Sequence, residues 1–281
     1  MNKNVRVIGK KNLQDSDTSW SDIVIAAGGD GTFLNSASRI YDNKTPIVGI
    51  NTNPNSSEGY FYRNRIRTVI LNPSNEQNSG SVKSLYDGNQ ISANVLSTGH
   101  ESSHPIQLKL KALNEVYAGE TSSAKVSQYE VKIDHDREFE RQKSSGIIFY
   151  TGTGSSSWSL HSNRLSDHSL EKIVNVMKGK QLLKSSPKIS RDVIREISSE
   201  FNSHHLKPYD WDKIGFIVRE GVKNNKFSFE RTHGIGSKIS LISMMKDGYL
   251  AIDGAYGISF NNGITAEFSM HPEDSLKCLS L

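Results

Sequence analysis

Cysteine is nearly absent from this chain. Cys278 is the only one, which excludes an intrachain disulfide, a Cys-x-x-Cys pair and a thiolate metal cage, and fits a reducing compartment. Long apolar runs are missing as well: none approaches the roughly 18 residues that read as a membrane span. Neither sign of charge dominates. Against 30 acids stand 34 lysines and arginines, leaving +4 with the histidines neutral; this weak, dispersed balance suits a phosphorylated small molecule and gives no basis for a nucleic-acid partner. No basic amphipathic helix is present to grip a membrane surface, so no membrane partner is expected. With 281 residues, 35% apolar and 23% charged, the chain has room for two domains with a real core. It shows no internal repeat.

The most informative stretch is Asp22 to Asn51. Ile23-Val24-Ile25-Ala26-Ala27 is an unbroken apolar run of strand length, read as a strand covered on both faces. Phe33, Leu34, Ala37, Ile40 and Tyr41 mark one face of a helix, Asn43 to Pro46 breaks it, and Ile47 to Ile50 is a second short strand. Together they make a βαβ unit, with Gly28-Gly29-Asp30-Gly31-Thr32 at the carboxyl end of the first strand, where open parallel sheets bind ligands. Gly28, Gly29 and Gly31 clear the side chains from around the turn, so a phosphate or ribose can approach the backbone at a helix N-terminus. Asp30 adds negative charge to that place. Either it merely caps the helix or it meets a metal or takes a proton from a hydroxyl. Val5 to Ile8 alternates like a strand, and only this and about a dozen polar residues precede the unit, so a small sheet is expected. Lys3, Arg6, Lys10 and Lys11 begin the sequence without a secretory apolar core, and as a transit peptide the stretch would be too short.

Asn51 to Gly59 is turn-rich, either a ligand-side segment or a plain connection. Arg63, Arg65 and Arg67 alternate; their stripe can hold a phosphate or be a solvated strand face. Residues 72–105 lack periodicity and read as a flexible insertion. Within it, His100 and His104 have a metal-like spacing, but Gly99 and Pro105 argue against the helix it needs, and no metal site is assigned. Leu108 to Leu113 alternates like a strand ending in Asn114-Glu115. There an amide can pair with a base edge, and a carboxylate can accept from ribose hydroxyls. After a hairpin (Tyr129 to Asp134, Arg137 to Lys143), Ser144 to Trp158 runs as a strand into a turn of hydroxyls and glycines followed by an aromatic, suited to ribose, phosphate and base. Two helices follow within 163–208, on the faces of Leu170, Ile173, Val174, Met177 and of Val193, Ile194, Ile197, Phe201. From Lys213 onward the pattern is β hairpins, turning at Gly221 to Asn225, Lys246-Asp247-Gly248 and Asn261-Asn262-Gly263.

GGDGT after an apolar strand resembles the superfamily of NAD kinases, diacylglycerol and sphingosine lipid kinases and 6-phosphofructokinases. GGDGT, then Asn114-Glu115, then TGTGSSSW, in that order, resembles the NAD kinase family, over roughly Val5 to the end. TGTGSSSW stands for the usual TPTGSTAY, and Ser145-Gly146 for the usual Asp-Gly. With SEG, ALNEVYAGE, QKSSG and the helical insert, these variants are similar to the mitochondrial type. Between Tyr60-Phe61-Tyr62 and the arginine strand, a helical segment found in relatives looks shortened.

The resemblance implies an α/β fold: an N-terminal Rossmann-like parallel-sheet domain over 1–70, to which about 266–281 returns, and a C-terminal β-sandwich domain over 106–265 carrying the insert. It implies NAD and ATP as ligands, Mg²⁺ arriving with ATP, a homo-oligomer (a dimer) and mitochondrial placement. By the same carry-over Asp30 is the catalytic base. Gly29, Gly31, Asn114, Glu115, Ser145, Thr151, Thr153, Ser156, Ser157 and Trp158 are substrate-binding. A lipid kinase of the superfamily, or a relative that binds NAD or NADP without turnover, are the alternatives.

Overall fold

The computed structural model describes residues 4–53, 65–71, 82–84, 90–91, 105–182, 189–208, 210–224 and 231–279. A short helix α1 (Asp15–Trp20) opens the fold. Its N-terminus is closed by a reciprocal pair: the Gln14 side chain accepts from the Asp17 N–H and the Asp17 carboxylate accepts from the Gln14 N–H. Then β1 (Val24–Ala27), α2 (Asp30–Ala37) and β2 (Pro46–Ile50) form the βαβ unit, with β1 and β2 parallel from Val24↔Ile47 to Ala27↔Ile50. The third strand of this sheet is β17 (Lys277–Cys278), parallel to β2 on its other side. Phe33, Ala37 and Ile40 seal the sheet with Ala26, Ile47 and Leu276.

Two expectations fail here. Val5 to Ile8 is not a strand; Val5 and Val7 are exposed, and the segment pairs with no strand among the described residues although one edge of β1 is open. The Ile23 to Ala27 run is not covered on both faces either. Its Ala26 side meets α2, while Ile25 is 59% exposed, because helical cover comes from one side only among the described residues.

The larger part is two facing antiparallel sheets. One has the order β6 (Ile106–Gln107), β3 (Ile66–Ile70), β16 (Thr265–Met270), β13 (Lys238–Ser243), β8 (Ser127–Ile133), β9 (Glu140–Ser144). The other runs β12 (His233–Gly236), β11 (Ile214–Val218), β10 (Ile147–Tyr150), β7 (Glu115–Glu120), β14 (Gly248–Ile252), β15 (Tyr256–Ser259), β4 (Val82–Ser84), β5 (Gln90–Ile91). Between them Tyr129, Phe149, Phe216, Phe260 and Phe268 are fully buried, and Phe149 of one sheet stacks on Phe268 of the other at 4.3 Å. Val218 lies in this core. The insert after β10 is α3 (Trp158–Asn163), α4 (Asp167–Gly179) and α5 (Arg191–Ser203). Ser166 and Ser190 cap the last two by accepting from Ser169 and Val193 N–H groups.

Leu108 to Leu113 is not a continuous strand. It lies extended beside β3 with scattered pairings, Leu108 N–H to Thr68 O and a bridge Ala112↔Ile66, while Lys111 turns inward. Asn114-Glu115 therefore stands at the start of β7 rather than at a strand end. From the 72–105 stretch, β4 and β5 pair along the edge beside β15. His100, His104, Arg63, Phe229 and residues 54–62 lie outside the described residues. Of 266–281, residues to Met270 stay in the six-stranded sheet and the return is made beyond them, through Leu276 and β17.

Arg65 and Arg67 are neither a solvated face nor free for phosphate. Arg65, 3% exposed, donates to the carbonyls of Asp274 (2.5 Å), Ile40 (2.5 Å) and Asp42 (3.0 Å). Arg67 donates to Asp274 (2.6 Å) and Glu273 (2.9 Å), and Lys111 lies 3.1 Å from the other Asp274 oxygen. These cations clamp the returning segment and the end of α2 against β3. Burial works to raise the Asp274 carboxyl, but Arg67 and Lys111 outweigh it and hold it below the usual range. Removing one partner of such a buried cluster costs about 3–5 kcal/mol. Asp274→Ala should lose stability on that scale in urea unfolding, and the parent's loss of stability on acidification below the ordinary carboxylate range should shrink in the variant. A wild-type urea midpoint would show that the cluster does not hold the two parts together.

Candidate active site

The glycine turn is fixed by backbone bonds. Gly28 N–H donates to Ile50 O (2.9 Å), and a Cβ on Gly28, at φ +156°, would meet Thr32 Oγ1 at 2.5 Å. The Gly29 carbonyl accepts from Thr32 and Phe33 N–H, which starts α2 at Asp30. Asp30 makes no side-chain cap. Its half-buried carboxylate has no hydrogen bond or ion pair among the described residues. A Cβ on Gly31 would come within 3.8 Å of Lys10 Nζ, so a cation stands beside the turn.

The second centre is built around the backbone of Leu113, Asn114 and Glu115. Asp253, fully buried and in the left-handed region at φ 50°, accepts all three N–H groups, at 2.8, 2.8 and 3.1 Å. Burial pushes this carboxyl up to about 6, against the pull of those N–H groups and of Arg65. On the carbonyl side Thr151 Oγ1 donates to Leu113 O (2.6 Å) and Thr151 N–H to Asn114 O (2.9 Å). The turn that follows is pressed into place: a Cβ on Gly154 would lie 2.0 Å from Asn114 O, and one on Gly152 2.0 Å from Pro208 O. Only glycine fits at either position. Ser156 Oγ donates to Thr153 O, Ser157 N–H to Gly154 O, and α3 begins at Trp158.

The Leu113 side chain joins the core made by Phe33 and Ala37 of α2. The glycine turn and the Asn114-Glu115 corner thus share one packed support. Three buried polar atoms at this corner have no hydrogen-bond partner among the described residues: Asn114 Oδ1, Glu115 Oε2 and Thr153 Oγ1. Unpaired buried acceptors and hydroxyls are costly; others occur elsewhere among the described residues, and these three are distinguished by lying close in the fold on side chains singled out in the sequence. Burial, and secondarily Asp253, pushes the Glu115 carboxyl up to about 8.

Ser145 and Trp158 belong to a second cluster on the outer face of the eight-stranded sheet. The Tyr117 ring lies 5.2 Å from Trp158 and 5.6 Å from Tyr249, and its hydroxyl donates to Ser145 O. The Arg219 guanidinium sits 5.1 Å over Trp158. Ser145 Oγ donates to Glu220 (2.5 Å). Trp158, Arg219 and Glu220 are among the walls of a cavity of about 380 Å³ that runs between α3, β11 and β12. Tyr117, Arg219, Glu220 and Asp253 are not singled out by the sequence. The one local signal is an acid before glycine, Glu220-Gly221 and Asp253-Gly254, which reads equally as a turn.

The Glu115 shift has a stability consequence. Burial favours the protonated form in the folded chain, so its contribution is complete below the ordinary value near 4.5 and is lost as pH rises toward about 8. Glu115→Gln should flatten the fall of unfolding free energy across that window in urea titrations. Parallel profiles for parent and variant would show that Glu115 does not titrate there.

Residues 2–68 match the family model described as the ATP-NAD kinase N-terminal domain. Over 310 residues, covering 99% of this chain and 69% of the relative, the chain is 33% identical to NAD kinase 2, mitochondrial, of Homo sapiens. It is 32% identical to the Rattus norvegicus protein of the same name, over 99% of this chain and 72% of that one. Among solved structures it resembles yeast NADH kinase complexed with NADH, with a TM-score of 0.55 and 15% identity over 93% of this chain and 62% of the yeast chain, a likeness of fold. A shared fold together with one-third identity along nearly the whole sequence leaves one assignment: the chain belongs to the NAD kinase family.

Proposed function

We propose that the chain transfers the γ-phosphoryl group of ATP to the 2′-hydroxyl of the adenosine ribose of NAD, giving NADP. The carrying observation is the set of buried atoms Asn114 Oδ1, Glu115 Oε2 and Thr153 Oγ1, unpartnered among the described residues, at a corner whose Leu113 packs on the helix that begins with Asp30. The Glu115 carboxyl accepts from ribose hydroxyls, and the Asn114 amide and the hydroxyl-rich turn of Thr151, Thr153, Ser156 and Ser157 hold base and phosphates. Gly29 and Gly31 let phosphate reach the backbone at the start of α2, with Lys10 adding positive charge. Asp30 takes the proton from the attacking hydroxyl. Mg²⁺ would arrive on the ATP phosphates and neutralise their charge there, since no dedicated carboxylate cluster stands among the described residues to hold it. The mammalian relatives are named as mitochondrial proteins, and we assign this chain to the same compartment.

In a coupled assay that follows NADPH through an NADP-specific dehydrogenase, Asp30→Asn should lose about 10²- to 10⁴-fold in kcat while calorimetric NAD affinity is kept. Unchanged turnover would remove Asp30 from the chemistry. Glu115→Ala should instead weaken NAD binding, and equal affinity in that variant would refute its ribose contact.

A further inference from the structure

The cavity beside Trp158 holds an acid that the reaction just described does not use. Glu220 follows the last residues of β11 and occupies the left-handed region, at φ 49°, a conformation that a non-glycine residue keeps only when its surroundings hold it there. Part of that hold is Ser145 Oγ, which donates to one Glu220 oxygen at 2.5 Å. The other oxygen has no hydrogen-bond or ion-pair partner among the described residues, and the side chain is exposed to the cavity. Arg219 is next to it but turns away, with its guanidinium over Trp158. An acceptor is thus fixed in direction, strained in backbone and left half unused, in a cavity that it lines together with Trp158, whose ring is backed by the buried Tyr117.

Ser145 is also where this chain carries a serine in place of the acid of the commoner Asp-Gly pattern. The structure brings a carboxylate back to that place from another strand. A planar ring entering the cavity beside Trp158 can turn an exocyclic amino or amide N–H₂ toward the free Glu220 oxygen, and NAD carries such a group on each of its rings.

We propose that Glu220, aimed by Ser145, is the specificity-determining carboxylate that accepts a hydrogen bond from the exocyclic N–H₂ of one ring of the dinucleotide. This rests on the reading of NAD as the phosphoryl acceptor. Arg219 and Trp158 form the cavity wall alongside it, and Ser145 is a positioning residue that acts through Glu220.

Kinetics with three dinucleotides test this: NAD, its nicotinate analogue, which carries a carboxylate in place of the carboxamide, and its hypoxanthine analogue, which lacks the purine amino group. The parent should reject one analogue, because a site built to accept from N–H₂ is left with an unpaired or repelled carboxylate when that group is missing. In Glu220→Ala the KM for NAD should rise about tenfold, with a smaller change in kcat, and the preference over that analogue should fall by a similar factor. Ser145→Ala should lose part of the same preference. Loss of rejection of the nicotinate analogue assigns the pyridine ring to Glu220, in which case Glu220→Gln should also accept it; loss for the hypoxanthine analogue assigns the purine. Melting temperatures check folding, and Ser145→Ala and Glu220→Gln carry the test if Glu220→Ala does not fold. A parent that handles all three alike, or variants that keep the parent's ratios, overturns the proposal. Absence of turnover with every dinucleotide counts instead against the kinase reading, and calorimetric affinities for the same three ligands then decide the Glu220 assignment.

Discussion

One buried carboxylate sets the shape of the Asn114-Glu115 corner. By accepting the N–H groups of Leu113, Asn114 and Glu115, Asp253 fixes three successive peptide planes at the start of β7. Those peptides would otherwise be buried donors without partners, each costing about 1–3 kcal/mol. With the N–H side held by Asp253 and the carbonyl side by Thr151, the chain at Asn114 has no freedom left. Its side chains therefore project at fixed angles without spending their own polar atoms on the protein. The unpaired Asn114 and Glu115 atoms follow from this division of labour: the backbone is satisfied so that the side chains stay unsatisfied. The raised Glu115 carboxyl is the electrostatic cost of burying it and, secondarily, of placing it beside Asp253.

The same economy governs the junction of the two parts. Arg65 enters the interior with its charge, spreads its donors over three carbonyls and lies near Asp274, which also meets Arg67 and Lys111. A guanidinium can do this because its planar fork makes several bonds at once. Since Ile40 and Asp42, at the exit of α2, are among the acceptors, the helix that begins with Asp30 is tethered at its far end to β3. The glycine turn is positioned from both ends of a single eight-residue helix.

Much of this was legible beforehand because periodicity and glycine placement are local. The βαβ unit, the hairpin of β8 and β9 and the two long insert helices are recovered close to where the pattern puts them. Errors arise where the deciding partner is distant. Alternation in Val5 to Ile8 and Leu108 to Leu113 resembles a strand, but a strand also needs continuous pairing with a neighbour, and sequence does not show pairing. The Arg65 and Arg67 pattern is equally compatible with solvent, phosphate or an internal clamp. Only the approach of Asp274, more than two hundred residues away, selects the third. Asp253 and Glu220 escaped for the same reason: an acid before a glycine is ordinary turn chemistry until a remote N–H or hydroxyl gives it a role.

β17 has a further consequence for how the molecule comes into being. It pairs in parallel with β2, yet β2 ends at Ile50 and its partner begins at Lys277. During synthesis the sandwich has all its strands once Met270 has been made, whereas the three-stranded sheet, the Leu276 plug in its core and the Asp274 clamp must wait for the residues that follow. The segment that carries Asp30 thus precedes the sandwich in the chain yet is locked in place by residues that follow it. The two antiparallel sheets can therefore pair their strands before the three-stranded sheet beside Asp30 is able to close.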